Sequence, residues 1–284
     1  MSTARPDRIT LTKLQGLGND FLVLLDPGQT AATGDAPDPD AGLARRICDR
    51  HLGIGADGLI WGHLLDAAAE TGVSPRLRFR LWNADGSEAE MSGNGMRCLA
   101  HAALDAGWIG EDEPVAVITP AGRRDVSIRR SGPEPGVTWA TVEMGPVKVG
   151  GEENRCNVGH GQLLVDVGNP HLVVLGPDPE TVDVATLGPL LEASDPGGLN
   201  VEFVALGPGP DTITMRVWER GVGETEACGT GSCAAAAALR HWDRVGRAVT
   251  VCQPGGAAAV ELRDDGTATL AGPSRRIATC VVDI

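Results

Sequence analysis

The residues best suited to chemistry lie in Trp218 to Leu239, WERGVGETEACGTGSCAAAAAL. A glycine-rich turn ends at Cys228, and Cys228-Gly229-Thr230-Gly231 then opens a run of small residues with strong helix propensity. A cysteine at a helix N-terminus faces backbone N–H groups and the positive end of the helix dipole. Both lower a thiol pKa and make thiolate available near neutral pH, which suits proton abstraction or nucleophilic attack. The same N–H groups can hold a carboxylate or a phosphate. Just upstream, Thr212 to Arg220 alternates, with Ile213, Met215, Val217 and Glu219 on one face. Glu219 is therefore expected at the inner end of a strand, where burial raises a carboxyl pKa and suits proton exchange with a neighbour. An ion pair with Arg220 is an equal alternative on strand geometry alone.

The stretch occurs twice. Leu77 to Leu99, LRFRLWNADGSEAEMSGNGMRCL, matches it at a separation of 136: Trp82 with Trp218, Glu88 with Glu224, Glu90 with Glu226, Gly93 with Gly229 and Gly95 with Gly231. Asn83 falls opposite Glu219, and Ser92 opposite Cys228. Two equivalent units facing each other would bring two helix N-termini into one cleft.

The surrounding elements repeat too. Leu77, Phe79, Leu81 and Asn83 share one face of a strand, while Arg76, Arg78, Arg80 and Trp82 share the other. Met96 to Gly107 and Ser232 to Gly246 read as helices whose alanine content predicts enclosure on all sides. Ala41 to His51 has helical spacing. Val115 to Thr119, Arg124 to Arg129 and Thr138 to Met144 read as strands, with Ser131 to Gly136 a hairpin loop and Gln29 to Asp40 a surface loop. For Gly53 to Gly58, turn glycines and a binding loop are equal readings. Gly18-Asn19 and Gly168-Asn169 each precede an apolar run, 150 positions apart. A mixed sheet curled around each alanine-rich helix would satisfy the pattern. The repeat favours two domains, 1–144 and 145–272, with the tail 273–284 packing back on the first.

Composition narrows the function. A net charge of -14 argues against nucleic acid or an anionic membrane as partner. Tyrosine is absent, so the cores must be aliphatic. Seven cysteines lack the paired spacings of a zinc site. Met1 to Thr10 has no apolar signal-peptide core, and no apolar run approaches membrane-spanning length. A cytoplasmic protein with free thiols is the expectation.

The blocks GLGNDF (16–21), NADGSEAEMSGNGMRC (83–98), GNPH (168–171), NVEF (200–203) and ERGVGETEACGTG (219–231) together resemble diaminopimelate epimerase. The resemblance implies an α/β fold of the α+β type. It has two pseudo-symmetric domains, each a barrel-like mixed sheet wrapped around a central helix, with the active site between them. It implies a cofactor-independent enzyme, without metal, that converts LL- to meso-diaminopimelate, and by analogy a homodimer. In the family two cysteines flank the substrate α-carbon, one removing its proton and one delivering another. The second corresponds to Cys228, its assisting acid to Glu219, and the histidine assisting the first to His171. Substrate-holding asparagines correspond to Asn19, Asn83, Asn169 and Asn200, with Arg220 on the distal carboxylate. The N–H groups at Gly93, Asn94, Gly229 and Thr230 would hold the α-carboxylate.

One position departs from the family pattern. The first cysteine's place, directly before GNG, is Ser92. A hydroxyl near water's roughly 15.7 against a thiol at about 8.5 disfavours the anion by on the order of 10 kcal/mol. His171, acting directly or through Ser92, could recover part of this. Cys98 lies about 9 Å further along the helix axis and on another face, so it is no substitute; Cys98 and Cys233 read as core residues. Three readings stay open. The chain is an epimerase using Ser92 and His171; or a one-base relative such as a dehydratase or an epimerase of another amino acid; or a serine variant that binds with little turnover.

Other classes fare worse. A pure binding protein has no need of Cys228, Glu219 and His171 together. A Cys228–His171 hydrolase leaves the duplicated helix N-terminus without a role. GTGS lacks the lysine of a P-loop. His51, His63, His101, His160 and His241 read as surface or satisfied histidines. Glu88, Glu90, Glu224 and Glu226 read as favourable charges ahead of helix N-termini, and Cys48, Cys156, Cys252 and Cys280 as packing or surface thiols.

Overall fold

A computed structural model of the chain describes residues 8–27, 39–66, 75–131 and 134–283. Most of the expected loop at 29–40 and part of that at 131–136 lie outside the described residues. The chain divides into two compact units. The first comprises Met1–Gly16, Asp20–Val142 and Pro273–Ile284, and the second Leu17–Asn19 and Glu143–Gly272.

In chain order the elements are β1 (Arg8–Gly16), β2 (Asn19–Asp26), α1 (Ala41–Cys48), β3 (Gly58–Asp66), β4 (Arg76–Asn83), β5 (Glu88–Ala89), α2 (Gly93–Asp105), β6 (Val115–Thr119), β7 (Gly122–Arg130) and β8 (Val137–Pro146). There follow β9 (Lys148–Glu152), β10 (Gly161–Asp166), β11 (Pro170–Leu175), α3 (Val184–Glu192), β12 (Asn200–Leu206), β13 (Thr212–Glu219) and β14 (Gly223–Thr225). The chain ends with α4 (Gly229–His241), β15 (Ala248–Gln253), β16 (Gly256–Leu262) and β17 (Thr267–Asp283). Within the first unit, the end of β17 lies antiparallel to β1, Arg8 opposite Asp283.

The two units repeat one strand pattern. In the first, β2 runs parallel to β3, β3 antiparallel to β4, and β4 parallel to β6, with Arg76 opposite Ala116. In the second, β11 runs parallel to β12, β12 antiparallel to β13, and β13 parallel to β15, with Thr212 opposite Thr250. Trp82 faces Glu88 across one tight turn and Trp218 faces Glu224 across the other. The repeat extends to ion pairs, Arg80 to Glu88 at 2.8 Å and Arg216 to Glu224 at 2.6 Å. These two glutamates therefore answer arginines on their own sheets.

Each unit is built around one helix. Every residue of α2 from Gly93 to Leu104 is buried, as is every residue of α4 from Gly229 to Leu239. α2 packs on β1, β3, β4 and β7; α4 packs on β9 to β13, β15 and β16. Alanine makes this possible: it has the strongest helix propensity, and its small side chain lets strands approach from every side. The architecture is thus the mixed sheet around a central helix that the alternating strands and alanine runs imply. Leu77, Phe79 and Leu81 lie inward on β4 as their spacing requires.

Helix boundaries differ from the sequence reading. α2 and α4 begin three residues early, at Gly93 and Gly229, because Ser92 and Cys228 cap them and glycine is tolerated in the first turn. They end at Asp105 and His241, before the expected Gly107 and Gly246. α1 stops at Cys48 and not His51, because Asp49 leaves helical geometry and its carboxylate takes the N–H groups of His51 and Leu52. Helix α3, capped by Asp183 and containing Pro189, lies in a stretch the sequence reading left unassigned. Residues 53–57 form a turn that leads into β3 at Gly58. Lys13 donates to the Gly55 carbonyl, and Lys13, Arg50, Asp20 and Asp57 form an ion-pair network around it.

Candidate active site

The two duplicated stretches place matched residues at matched helix ends. Ser92 is the N-cap of α2, in extended geometry (φ -146°), and its Oγ accepts from the Gly95 N–H at 3.0 Å. Cys228 is the N-cap of α4 (φ -121°), and its Sγ accepts from the Gly231 N–H at 3.3 Å. Gly93 and Asn94 on one helix, and Gly229 and Thr230 on the other, occupy the first two positions, whose N–H groups look out of the helix end.

Around Cys228 the second unit gathers a cluster of buried and half-buried polar side chains. Glu219 ends β13, and its Oε1 accepts from Thr225 Oγ1 at 2.5 Å. Burial raises the Glu219 carboxyl, opposed by hydrogen bonds from Thr225 and the Cys228 thiol. No ion pair to Arg220 forms; that guanidinium donates to the Gly197 carbonyl at 3.1 Å and is exposed. His171, wholly buried on β11, has Nδ1 at 2.7 Å from Glu202 Oε1 and Nε2 at 3.0 Å from Asn169 Oδ1. Asn169 Nδ2 reaches Thr230 Oγ1 at 3.5 Å, and Thr230 Oγ1 lies 3.4 Å from Cys228 Sγ.

The thiol does not follow the sequence argument. Burial, then the carboxylates of Glu219 and Glu202, push Cys228 well above its ordinary value, outweighing the hydrogen bonds from Thr230 and the Gly231 N–H. At 5% exposure Cys228 loses the water that would solvate a thiolate. The hydrogen bond from the helix end is outweighed first by burial and then by the two carboxylates. His171 as a base for Ser92 also meets an obstacle: both its ring nitrogens are already hydrogen-bonded.

The remaining named residues are placed as follows. Asn200, on the strand next to His171, donates to the Pro170 carbonyl and accepts the Arg220 N–H, tying the ends of β11 and β13 together. Asn83 donates to Ser87 Oγ at 3.0 Å. Asn94 is buried and accepts from Arg97 at 2.8 Å. Asn19 belongs with Leu17 and Gly18 to the second unit, where Leu17 takes a left-handed φ of 58° and Gly18 abuts Glu226. Cys98 and Cys233 are buried in their helices, the first pushed up to about 11 by burial. His101 is buried and bonded to Ser274, and His63 stacks on Trp61 and bonds Asp26.

Three residues escaped the sequence reading. Glu202 sits two positions after Asn200 on the same face of β12, a charge inside the apolar run NVEFVAL; period-two spacing could have flagged it. Gln253 accepts the Cys228 N–H at 2.8 Å and donates to Ser232 Oγ, which in turn donates to the Cys228 carbonyl. Gln253 and Ser232 so fix the backbone of the cap, and nothing local marks them.

The family model for diaminopimelate epimerase matches residues 11–150 and 163–277. The chain belongs to the diaminopimelate epimerase family. It is 41% identical over 283 residues to a diaminopimelate epimerase of Desulforudis audaxviator, covering 94% of this chain and 96% of the relative. A Desulfitobacterium hafniense diaminopimelate epimerase is 38% identical over 282 residues, covering 93% and 94%. The fold is shared more widely. A predicted epimerase from Pseudomonas aeruginosa superposes with a TM-score of 0.71 at 14% identity, covering 96% of this chain and 99% of that one. A hydroxyproline epimerase from Agrobacterium vitis gives 0.68 at 19% identity, covering 98% and 93%. Among the described residues no helix is long and apolar enough to cross a membrane.

Proposed function

We propose that this chain interconverts LL- and meso-diaminopimelate by moving the α-proton between two groups on opposite faces of the α-carbon. The observation that carries the reading is the family match along almost the whole chain, joined to a cysteine N-cap held against a half-buried carboxyl. Cys228 and Glu219 act as a unit. The thiol hydrogen-bonds the carboxylate, so passing its proton to Glu219 creates the thiolate without changing the charge of the pocket. Burial raises both groups, so each is held toward its protonated form until substrate arrives. The substrate α-carboxylate sits at the Gly229 and Thr230 N–H groups, and Gly93 and Asn94 present the matching pair at the other helix end. Those dipoles stabilise the charge that develops on the carboxylate as the α-proton leaves.

Ser92 is the second proton-transfer group, a weak base but an adequate donor. Asn19, Asn83 and Asn169 position the substrate, and Arg220 takes the distal carboxylate. Asn200 acts through the backbone it holds. The test is deuterium uptake at the α-carbon in D₂O, read by mass spectrometry, with LL- and meso-diaminopimelate supplied separately. Uptake from both with interconversion is expected; no uptake from either overturns the reading.

A further inference from the structure

The two duplicated turns are held in different ways. In the first unit the turn after Trp82 carries its own brace. Asp85 Oδ1 accepts from the N–H and the hydroxyl of Ser87 at 2.8 and 2.6 Å, and Asn83 donates to Ser87 Oγ. At the matched places of the second unit stand glycines, Gly221 opposite Asp85 and Gly223 opposite Ser87. Both take left-handed backbone, with φ of 74° and 109°, and neither has a side chain with which to hold the turn. Glycine also loses the most conformational freedom on being ordered. Yet this is the turn that carries Arg220, where the first unit has Ala84.

The brace comes from α3, which packs on β12, β13 and β14. Gly188 and Glu192 share one face of that helix, a turn apart. The Trp218 ring lies so close on Gly188 that a Cβ there would fall 2.5 Å from its carbons. This seat brings the indole N–H to Glu192, the last residue of α3, whose Oε2 accepts it at 2.7 Å. Glu192 Oε1 accepts the Gly221 N–H at 3.0 Å. Neither bond has an ambiguous direction, since an indole and a backbone amide can only donate. One carboxylate therefore grips the turn on both sides of Arg220. Between the two grips, the Arg220 N–H goes to Asn200 Oδ1 at 3.1 Å. The Arg220 stem runs over Gly198, where a Cβ would lie 2.9 Å from Arg220 Cδ and 3.7 Å from Glu192 Cγ. Its Nη1 donates to the Gly197 carbonyl at 3.1 Å, a neutral partner that takes one N–H of a group built to give several.

We propose that Glu192 is a positioning residue: by clasping Trp218 and Gly221 it holds Arg220 where the distal carboxylate of the substrate binds. A guanidinium recognises a carboxylate through a planar fork, which rewards a fixed position. Ordering the turn before the substrate arrives removes that cost from binding. The proposal rests on the reading of Arg220 as the residue for the distal carboxylate. It deepens that reading by giving α3 and Glu192 a part that neither the motifs nor the family match assigns.

The first test needs no substrate. Hydrogen exchange of the Gly221 amide and the Trp218 indole N–H, followed by nitrogen-15 NMR of the intact chain, should be slow in the parent and at least about tenfold faster in Glu192→Ala. Equal exchange in the two proteins overturns the clasp. The second test is calorimetric binding of meso-diaminopimelate to the parent, Glu192→Ala, Glu192→Gln, Arg220→Met and the Glu192→Ala/Arg220→Met double variant. Glu192→Ala should weaken binding about tenfold, the scale of ordering a long side chain and its turn. Glu192→Gln keeps one acceptor oxygen and should recover part of the loss. In α-deuterium exchange the loss should fall on KM more than on kcat. In the Arg220→Met background, Glu192→Ala should cost nothing further, because the group it positions is gone. A Glu192→Ala protein that melts like the parent and binds as tightly would refute the proposal, as would a loss of equal size with and without Arg220. The two levels separate cleanly. If Arg220→Met binds like the parent, the reading of Arg220 fails and the proposal falls with it. If Arg220→Met binds weakly while Glu192→Ala does not, the proposal alone fails.

Discussion

Replacing Ser92 by cysteine should raise epimerisation by orders of magnitude. Ser92 and Cys228 hold the same place in their units, and the sulfur cap is only slightly longer, 3.3 Å to the Gly231 N–H against 3.0 Å from Ser92 Oγ to the Gly95 N–H. The cap region is tight, since a Cβ at Gly95 would meet Ile60 Cδ1 and Ser92 Cβ at 3.2 Å. A stability cost of about 1 kcal/mol, typical of exchanging a good cap for a poorer one, is therefore expected. Against this stands the ease of forming the base. About seven pKa units separate a hydroxyl from a thiol, on the order of 10 kcal/mol. With the proton about half transferred in the transition state, roughly half of that reaches the barrier, or ~5 kcal/mol and about 10³-fold or more in rate. Burial raises the thiol at the matched position, so part of the gain is lost; about 10²-fold is the lower bound we expect. The assay is α-deuterium incorporation and stereochemical inversion from LL- and meso-diaminopimelate, with melting curves to verify folding. An unchanged or lower rate in a folded Ser92→Cys protein would refute the two-group argument at this position.

Three further outcomes follow from the same geometry. Glu219→Gln should stop exchange yet raise the melting temperature at pH 7. Burial lifts the Glu219 carboxyl, so its ionised form costs stability above the unfolded value of about 4.3, and that cost is gone about one unit below it, where both states are protonated. A melting gain that persisted unchanged at about pH 3 would contradict this. Iodoacetamide labelling of Cys228 should climb only in the alkaline range; a midpoint below the ordinary thiol value of about 8.5 would mean the helix end outweighs burial after all. Gly255→Ala should displace the Leu17–Asn19 turn, because the new Cβ would fall 1.8 Å from the Leu17 carbonyl oxygen. We expect a weakened KM and a loss of about 1–3 kcal/mol of stability, checked by steady-state exchange kinetics and denaturant unfolding.

Some of the architecture could be read from local pattern because local pattern causes it. Leu77, Phe79 and Leu81 face inward since alternate residues of a strand share a face. Val115–Thr119 is a strand in both accounts. The alanine runs announced helices sealed on every side, and α2 and α4 are so sealed. Helix ends were harder. Whether Gly93 and Gly229 join a helix depends on the side chain before them closing a bond to the third N–H, which propensity does not report. Helix α3 was missed because Pro189 and Gly188 interrupt its signal, although the packing of Trp218 against Gly188 fits it to the sheet.

The duplication, the pairing of Ser92 with Cys228, the enclosed helices and the family are all legible in the chain, since residue types at fixed spacing carry all four. The state of the chemistry emerges only on folding. A helix N-terminus can be seen in the chain, but the carboxylates that outweigh it cannot. Glu202 comes from a strand paired in parallel with that of His171, and Gln253 from a strand 25 positions beyond Cys228. A pKa is set by every charge and by the water excluded within a few ångströms, and residues far apart in sequence enter that sphere only when the sheet closes around the helix.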